Sequence, residues 1–140
     1  MTTATVIMSA MTLASTTAEL PQWGGVRPSE ELANNPFIQE WNTPHQTPPF
    51  SEIELAHYEP AFDFAIAVNR AEIESIVANP EPATFENTIV AMEQAGELLN
   101  RVSGVFFVLN GSCTSDEMQK IAMNITPKLT ELSNDVALNP

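Results

Sequence analysis

The chain has 140 residues, which is enough for one domain with a single hydrophobic core. Its 18 acidic residues outnumber its 5 basic residues and give a formal net charge of −13, which we interpret as a solvated surface. The five cations are scattered singly, whereas a phosphate-binding surface needs clustered lysine and arginine, so the composition argues against a nucleic-acid partner. The single cysteine, Cys113, excludes an intrachain disulfide and is interpreted as an incidental thiol.

Residues 1–34 are predicted to form a leader followed by a mobile segment. The uncharged, mostly apolar run Ala4–Ala14 is too short to span a bilayer and matches the core of a secretory signal. Thr16 and Ala18 would be the small residues of its cleavage site, although no lysine or arginine precedes Arg27 to form the usual basic region. The pattern favours a periplasmic or secreted protein, with a cytoplasmic location as the alternative and no stable membrane span.

The next segment, residues 35–52, is predicted to be an extended arm. Its prolines interrupt any helical period, and each removes a backbone donor. Large apolar side chains in and before it would fix the arm to a helical body, each contributing about 1.5–3 kcal/mol when buried, while the residues before Asn35 would be mobile. These side chains are Trp23, Phe37, Ile38, Trp41 and Phe50.

Three antiparallel helices are predicted after the arm, over residues of about 53–78, 84–110 and 115–138. Each has apolar residues at the spacing of one helix face. In the first helix, which ends before Pro80, they are Phe62, Ile66, Ile73, Ile76 and Val77. In the second they are Phe85, Ile89, Met92, Leu99, Val102, Phe106 and Leu109. In the third they are Met118, Ile121, Ile125, Leu129, Leu132 and Val136.

The second helix is predicted to be continuous and to lie at the centre of the body. Thr84 would cap its beginning, and Asn110-Gly111 would end it in left-handed geometry. From Leu98 onward the helix is apolar almost all round, because further apolar residues such as Val105 and Val108 widen the stripe. Two neighbouring helices and one arm cannot cover that circumference, so we expect an exposed patch and self-association of the isolated chain.

The third helix is predicted to begin with a capping box. Thr114 and Glu117 have the spacing S/T-x-x-E, in which the hydroxyl and the carboxylate each accept a backbone N–H bond. Pro127 should kink this helix, because proline deletes a hydrogen bond and clashes with the preceding turn.

Histidines that could take part in chemistry are few. A zinc site needs three or four suitable ligands, and the chain has only His45 and His57 and no H-E-x-x-H motif. His57 stands three residues after Glu54, which could suggest a pair of ligands, but we interpret it as a histidine bound to backbone at a helix start. His45 lies in the proline-rich arm and is interpreted as a packed or exposed surface group.

Carboxylate pairs could suggest a general acid and a general base. Glu72 with Glu74, and Glu93 with Glu97, are the pairs with suitable spacing. Because 18 acids in 140 residues produce such pairs by chance, we interpret them as solvated helix faces. The residues alone therefore predict no catalytic, cofactor-binding or metal-binding site.

Several short runs carry a resemblance to a known family, and the most specific of them is Ala83–Glu93, with the sequence ATFENTIVAME. The others, in chain order, are Asn35–Phe37, Trp41–Pro44, Pro48–Phe50, His57–Phe62, Ala71–Ile76, Asn79-Pro80, Gly96–Leu99, Arg101–Ser103, Pro127–Leu129 and Leu138–Pro140. With these runs in this order, residues 35–140 resemble the start of the thimet-oligopeptidase family of zinc metallopeptidases. Within that family they are most similar to the branch of peptidyl-dipeptidase (dipeptidyl carboxypeptidase, Dcp) and oligopeptidase A.

The resemblance implies a much longer, almost wholly helical enzyme with a deep channel between two halves. It implies that the H-E-x-x-H zinc helix, a third glutamate ligand and the tyrosine and histidine groups that stabilise the transition state lie in the distal half. None of those positions exists here, so no catalytic, cofactor or metal residue is assigned and the chain is expected to be inactive alone.

In the full-length parent, the resemblance implies zinc as the cofactor and short peptides as substrates. This segment would form part of the channel wall, with the remainder of the parent chain as its partner. The alternative is a free-standing helical binding module without catalysis.

Overall fold

The computed structural model describes residues 23–139. Three long helices make up the body, and we name them α1 (Tyr58–Val77), α3 (Glu97–Ser112) and α4 (Asp116–Ala137). Between α1 and α3 the chain forms a π-helical turn, Phe85–Val90, and the short helix α2, Ala91–Gln94. Short 3-10 turns lie in the preceding segment, at Leu32–Asn34, Pro44–Gln46 and Leu55–His57. The predicted all-helical fold with three helices and a proline-rich arm is confirmed.

Helix α1 lies at the centre of the body. It packs against both α3 and α4, whereas those two helices share little contact with each other. Ala61 and Ala65 lie four residues apart on α1 and are fully buried, so their small side chains let neighbouring segments of the protein approach α1 closely. Phe62, which is also fully buried, fills the space between these segments and α1. The prediction that the second helix is central was therefore wrong.

An aromatic cluster joins the arm to α1 and α3. The ring of Tyr58 lies 5.2 Å from that of Phe37 and 5.0 Å from that of Phe106, measured between ring centroids. Phe62 meets Phe106 at 5.5 Å in an edge-to-face arrangement. Because all four residues are almost completely buried, these contacts add specific ring geometry to a large loss of apolar surface from water. Burial also raises the pKa of the Tyr58 phenol.

The predicted continuous helix over residues 84–110 is broken at Ala95-Gly96. Gly96 adopts a left-handed conformation with φ of 82°, and its backbone N–H donates a 2.7 Å bond to the Glu72 carboxylate. A side-chain carbon at Gly96 would lie 2.8 Å from the amide nitrogen of Asn69, so the close approach to α1 requires glycine. Because of this break, the residues before Gly96 do not continue the side of the helix that α3 buries in the core.

As a consequence, the apolar residues before the break do not join the core. Phe85 is 65 %, Ile89 48 % and Met92 47 % exposed, although the periodicity placed all three on the buried face. After the break, Val102 and Phe106 of the predicted stripe are buried, whereas Leu99 and Leu109 are half-buried. Leu98, which widened the stripe, is buried as well. Val105 is also buried, so the expected exposed patch on α3 contains Val108 and Phe107 but not Val105. Self-association through that patch stays a prediction.

Two helix ends also differ from expectation. Thr84 caps as predicted, since its hydroxyl accepts the Asn87 N–H at 3.1 Å. The chain, however, remains helical through Asn110 and Gly111, and α3 ends at Ser112 without a left-handed residue. Helix α4 is capped by Ser115 instead of Thr114, because the Ser115 hydroxyl accepts the Met118 N–H at 3.2 Å.

Glu117 in the first turn of α4 does not complete the predicted capping box with Thr114, because Ser115 is the N-cap. Its pKa lies below the ordinary value, first because of a bond with its own backbone N–H and second because of the Ser115 hydroxyl. A carboxylate here also suits the positive end of the helix dipole.

The predicted apolar stripe of α4 is confirmed. Met118, Ile125 and Leu132 are buried, and the residues between them on the same face are half-buried: Ile121, Leu129 and Val136. The helix continues through Pro127, which lies on the exposed side. Two exposed ion pairs connect α4 to α1, Lys128 with Asp63 and Arg70 with Asp135, and such pairs contribute little to stability.

Three predictions outside the core need correction. Phe50 does not fix the arm, because it is 57 % exposed, and Val77 near the end of α1 is 59 % exposed. Residues 23–34, predicted to be mobile, pack on the body through Trp23, Val26 and Leu32.

The predicted signal run and cleavage site lie outside the described residues. No helix among residues 23–139 is long and apolar enough to cross a membrane.

Phe106→Ala should lower the free energy of unfolding by about 3–5 kcal/mol, because it leaves a cavity in the centre of the aromatic cluster. Phe107 is the matched control, since the neighbouring ring is 43 % exposed. Phe107→Ala should cost about 1 kcal/mol or less in the same urea melts. Equal losses for the two variants would contradict the placement of Phe106 in the core.

Gly96→Ala should destabilise the chain by about 1–3 kcal/mol, because alanine is strained at positive φ and would meet Asn69. Gly104→Ala is the control: Gly104 lies inside α3, and a side-chain carbon there meets nothing within 4 Å. That substitution should stabilise α3 by about 0.5–1 kcal/mol, as expected for alanine at an open helical position. Thermal or urea unfolding measures the change in stability of each variant and its sign. If Gly96→Ala and Gly104→Ala both stabilised the protein, a continuous helix through Gly96 would be indicated.

Candidate functional site

The described residues do not assemble a metal centre. Across residues 23–139, no group of three or more histidine, cysteine, aspartate or glutamate side chains is placed to hold a metal ion. Cys113 is exposed directly after the end of α3, and its interpretation as an incidental thiol stays a prediction.

His57 acts as a structural residue at the beginning of α1. Its ring nitrogen Nδ1 accepts the Glu54 backbone N–H at 3.0 Å, as expected for a histidine bound to backbone at a helix start. Its carbonyl accepts the side-chain amide of Asn35 at 2.8 Å. The ring nitrogen therefore stabilises the turn before α1, and the carbonyl joins the arm to it. His45 is exposed, with φ of 58°, and is the surface group that the sequence indicated.

Asn35 is a residue whose role sequence reasoning missed. It is only 5 % exposed, and its amide oxygen accepts the Phe37 N–H at 3.0 Å while its amide nitrogen donates to the His57 carbonyl. A buried amide with both ends bonded fixes two segments at once, because leaving either end unpaired would be costly. The sequence signal was an asparagine directly before proline and two buried apolar residues.

The carboxylate pairs are not acid–base pairs. Glu93 and Glu97 lie on opposite sides of the break at Gly96, so they do not share a helix face. Glu74 is exposed, as expected for a solvated face, but Glu72 is half-buried and accepts the Gly96 N–H. The interpretation of Glu72 as a solvated residue was wrong, because its carboxylate is needed to satisfy backbone at the break.

The most developed polar arrangement surrounds Arg101 on α3, and we call it the Arg101 clamp. The guanidinium carbon lies 5.2 Å from the ring centroid of Trp23 and 4.9 Å from that of Trp41. Its Nη1 atom donates to the carbonyls of Phe37 at 3.4 Å and Gln39 at 3.2 Å. One cation thus holds the arm and the preceding turn against α3 through rings and backbone together.

A cavity of about 560 Å³ adjoins the Arg101 clamp. Glu40 and Glu97 contribute its carboxylates, and Arg101 contributes its cation. Because Arg101 is already bound to two carbonyls and stacked on two rings, we interpret the clamp as a structural device. A lone arginine in the apolar run of α3, with two tryptophans upstream, was the signal that could have revealed it.

The comparisons with known proteins point to peptidases. The chain is 45 % identical over 105 residues to dipeptidyl carboxypeptidase of Escherichia coli (strain K12). It is 42 % identical over 108 residues to dipeptidyl carboxypeptidase of Salmonella typhimurium, and 33 % identical over 99 residues to oligopeptidase A of the same organism. These matches cover 75 %, 77 % and 71 % of this chain. No family model matches the chain.

The matched residues define a helical segment related to bacterial peptidases. The chain belongs to the thimet-oligopeptidase family, in the branch of dipeptidyl carboxypeptidase and oligopeptidase A, as the resemblance predicted. It spans only about 15 % of the length of the relatives that it matches.

Replacing Arg101 with lysine should release the arm, because an ammonium provides neither the planar stacking surface nor the fork of donors. We expect a loss of about 1–3 kcal/mol and faster limited proteolysis between residues 39 and 52. The chain has two tryptophans, and both border Arg101, so a red shift of tryptophan emission should accompany the change. Lys128→Ala is the control, since removing this exposed ion pair should cost about 1 kcal/mol or less and leave the emission unchanged. An Arg101→Lys protein with unchanged stability, proteolysis and tryptophan emission would rule out the clamp.

Proposed function

We propose that this chain is the N-terminal, non-catalytic helical segment of a zinc metallopeptidase of the dipeptidyl carboxypeptidase type. The observation that carries the proposal is the match to dipeptidyl carboxypeptidase, which covers 75 % of this chain but 15 % of the relative. A segment of that size, in which residues 23–139 bring no three metal-ligating side chains together, suits a supporting part better than a catalytic centre.

In the whole enzyme the remainder of the chain would supply the zinc ligands and the general base. Zinc chemistry there would activate water for attack on a peptide carbonyl. The segment described here would form part of the channel wall that admits short peptides. Its rigid packing, with the arm joined to α3 at Arg101 and to α1 at Asn35, is suited to holding such a wall in shape. We also propose export, based on the run Ala4–Ala14.

The chain alone should have no peptidase activity and should bind no stoichiometric zinc. A chimera can be made from the Escherichia coli enzyme by replacing its matched 105-residue segment with the corresponding residues of this chain. We expect this chimera to be active. Because 45 % identity preserves the fold and its core, the chimera should cleave the substrates of its parent and retain its zinc. Elemental analysis and assays on blocked tripeptides measure both halves of the prediction.

Two results would overturn the proposal. Tight zinc with chelator-sensitive cleavage by the 140-residue chain would make it an enzyme in its own right. A chimera that folds and binds zinc but does not cleave peptides would show that the segment cannot serve in such an enzyme, and would favour a helical binding module.

A further inference from the structure

An exposed apolar stripe lies on the short helical segment before the break at Gly96. Phe85, Ile89 and Met92 are separated by four residues in the π-helical turn and three residues toward α2, each close to one helical turn, so they lie toward the same side of the segment. All three are about half exposed or more, at 65 %, 48 % and 47 %. Scattered single apolar residues on a surface need no explanation, but three in a row on one helical side mark an interaction surface.

The stripe is held outward by well-formed local bonds. Asn87 exchanges bonds with Thr84 in both directions, at 3.1 Å and 2.7 Å, and its amide donates to the Pro82 carbonyl at 2.9 Å. At the other end, the Gly96 N–H is bound to Glu72. Both ends of the segment are therefore fixed, so the exposure of the stripe is a built feature of the fold.

The sequence on either side of the stripe is acidic. Residues 71–100 include six glutamates and neither lysine nor arginine. Glu86 and Glu93, which lie within and directly after the stripe, and Glu81 before it, are exposed. A partner that covered the stripe would need an apolar centre and basic edges.

We propose that the stripe Phe85–Ile89–Met92 is the docking surface for the part of the longer parent chain that lies outside these 140 residues. The docking element is an apolar helix face flanked by lysine or arginine. This inference rests on the proposed function, and the length of the relatives supports it, because about 85 % of such a chain would be available to cover the stripe. A second copy of this chain is a poorer occupant, since pairing two stripes would bring two acidic rims together.

Two methionines that are exposed among residues 23–139 allow a direct test in the same active chimera. Met92 lies in the stripe, whereas Met123 lies on α4 and is 66 % exposed, so it is an internal control. Methionine oxidation follows exposure, and we expect hydroxyl-radical or peroxide labelling of Met92 to fall about tenfold from the 140-residue chain to the chimera. Labelling of Met123 should be the same in both proteins. Equal labelling of Met92 in both proteins, or equal protection of Met92 and Met123, would overturn the proposal.

Polar variants give an independent measurement. Phe85→Ser, Ile89→Ser and Met92→Ser combined should leave the melting of the 140-residue chain almost unchanged. The same three changes should lower the melting temperature and activity of the chimera, while Met123→Ser should alter neither. Glu86→Lys with Glu93→Lys should destabilise the chimera, and Glu131→Lys on the exposed face of α4 should not.

The outcomes distinguish this inference from the proposed function. An unmodified chimera that is inactive contradicts the proposed function. An active chimera that tolerates the triple serine variant contradicts only the docking surface. If the triple variant instead reduces light scattering of the isolated chain without affecting the chimera, the stripe is an interface between copies of this chain, and the proposal is wrong.

Discussion

The carboxylate of Glu72 connects three parts of the chain. It accepts the Gly96 N–H at the beginning of α3, and its side chain lies so close to Gly24 that a side-chain carbon there would come within 2.8 Å. A charge-assisted bond to a half-buried backbone group is stronger than a neutral one. It offsets the cost of ending one helix and starting another in a different direction. The course of α3, and therefore the composition of the core, depends on this contact.

The break at Gly96 also explains which part of the second helix could be predicted from periodicity. Hydrophobic spacing identifies the core side of α3 correctly at Val102 and Phe106, because those residues share one uninterrupted helix. The same period extended backward fails at Phe85, Ile89 and Met92, since a left-handed residue changes the direction of the axis between them. A glycine inside a helical pattern indicates a possible break. The bond from the Gly96 N–H to Glu72, which lies on another helix, is what stabilises the break at this position.

Contacts between residues that are far apart in the sequence could not be predicted from local patterns either. The apolar stripe of α4 could be predicted, as could the N-cap at Thr84 and, to within one residue, the N-cap at Ser115, because these features are local. The Arg101 clamp could not, since it joins residues that are more than 60 positions apart to form a single stacked and bonded group. The central place of α1 likewise follows from two small residues, Ala61 and Ala65, which carry almost no signal in a hydrophobicity pattern. Family resemblance identified the class of protein, yet it did not indicate which surfaces are free.

The distribution of charge gives the free surfaces different meanings. The outer side of α4 carries both signs, including Lys120, Lys128 and Glu131, which is typical of a surface that stays in water. The sequence around the stripe, residues 71–100, carries glutamates without lysine or arginine beside exposed apolar side chains. A surface of that kind is unfavourable in water and repels its own copies. Both properties become favourable when an apolar partner with basic edges is present. The high net acidity of the chain can then be understood as more than an aid to solubility: part of it is placed where it would select the partner and prevent premature association.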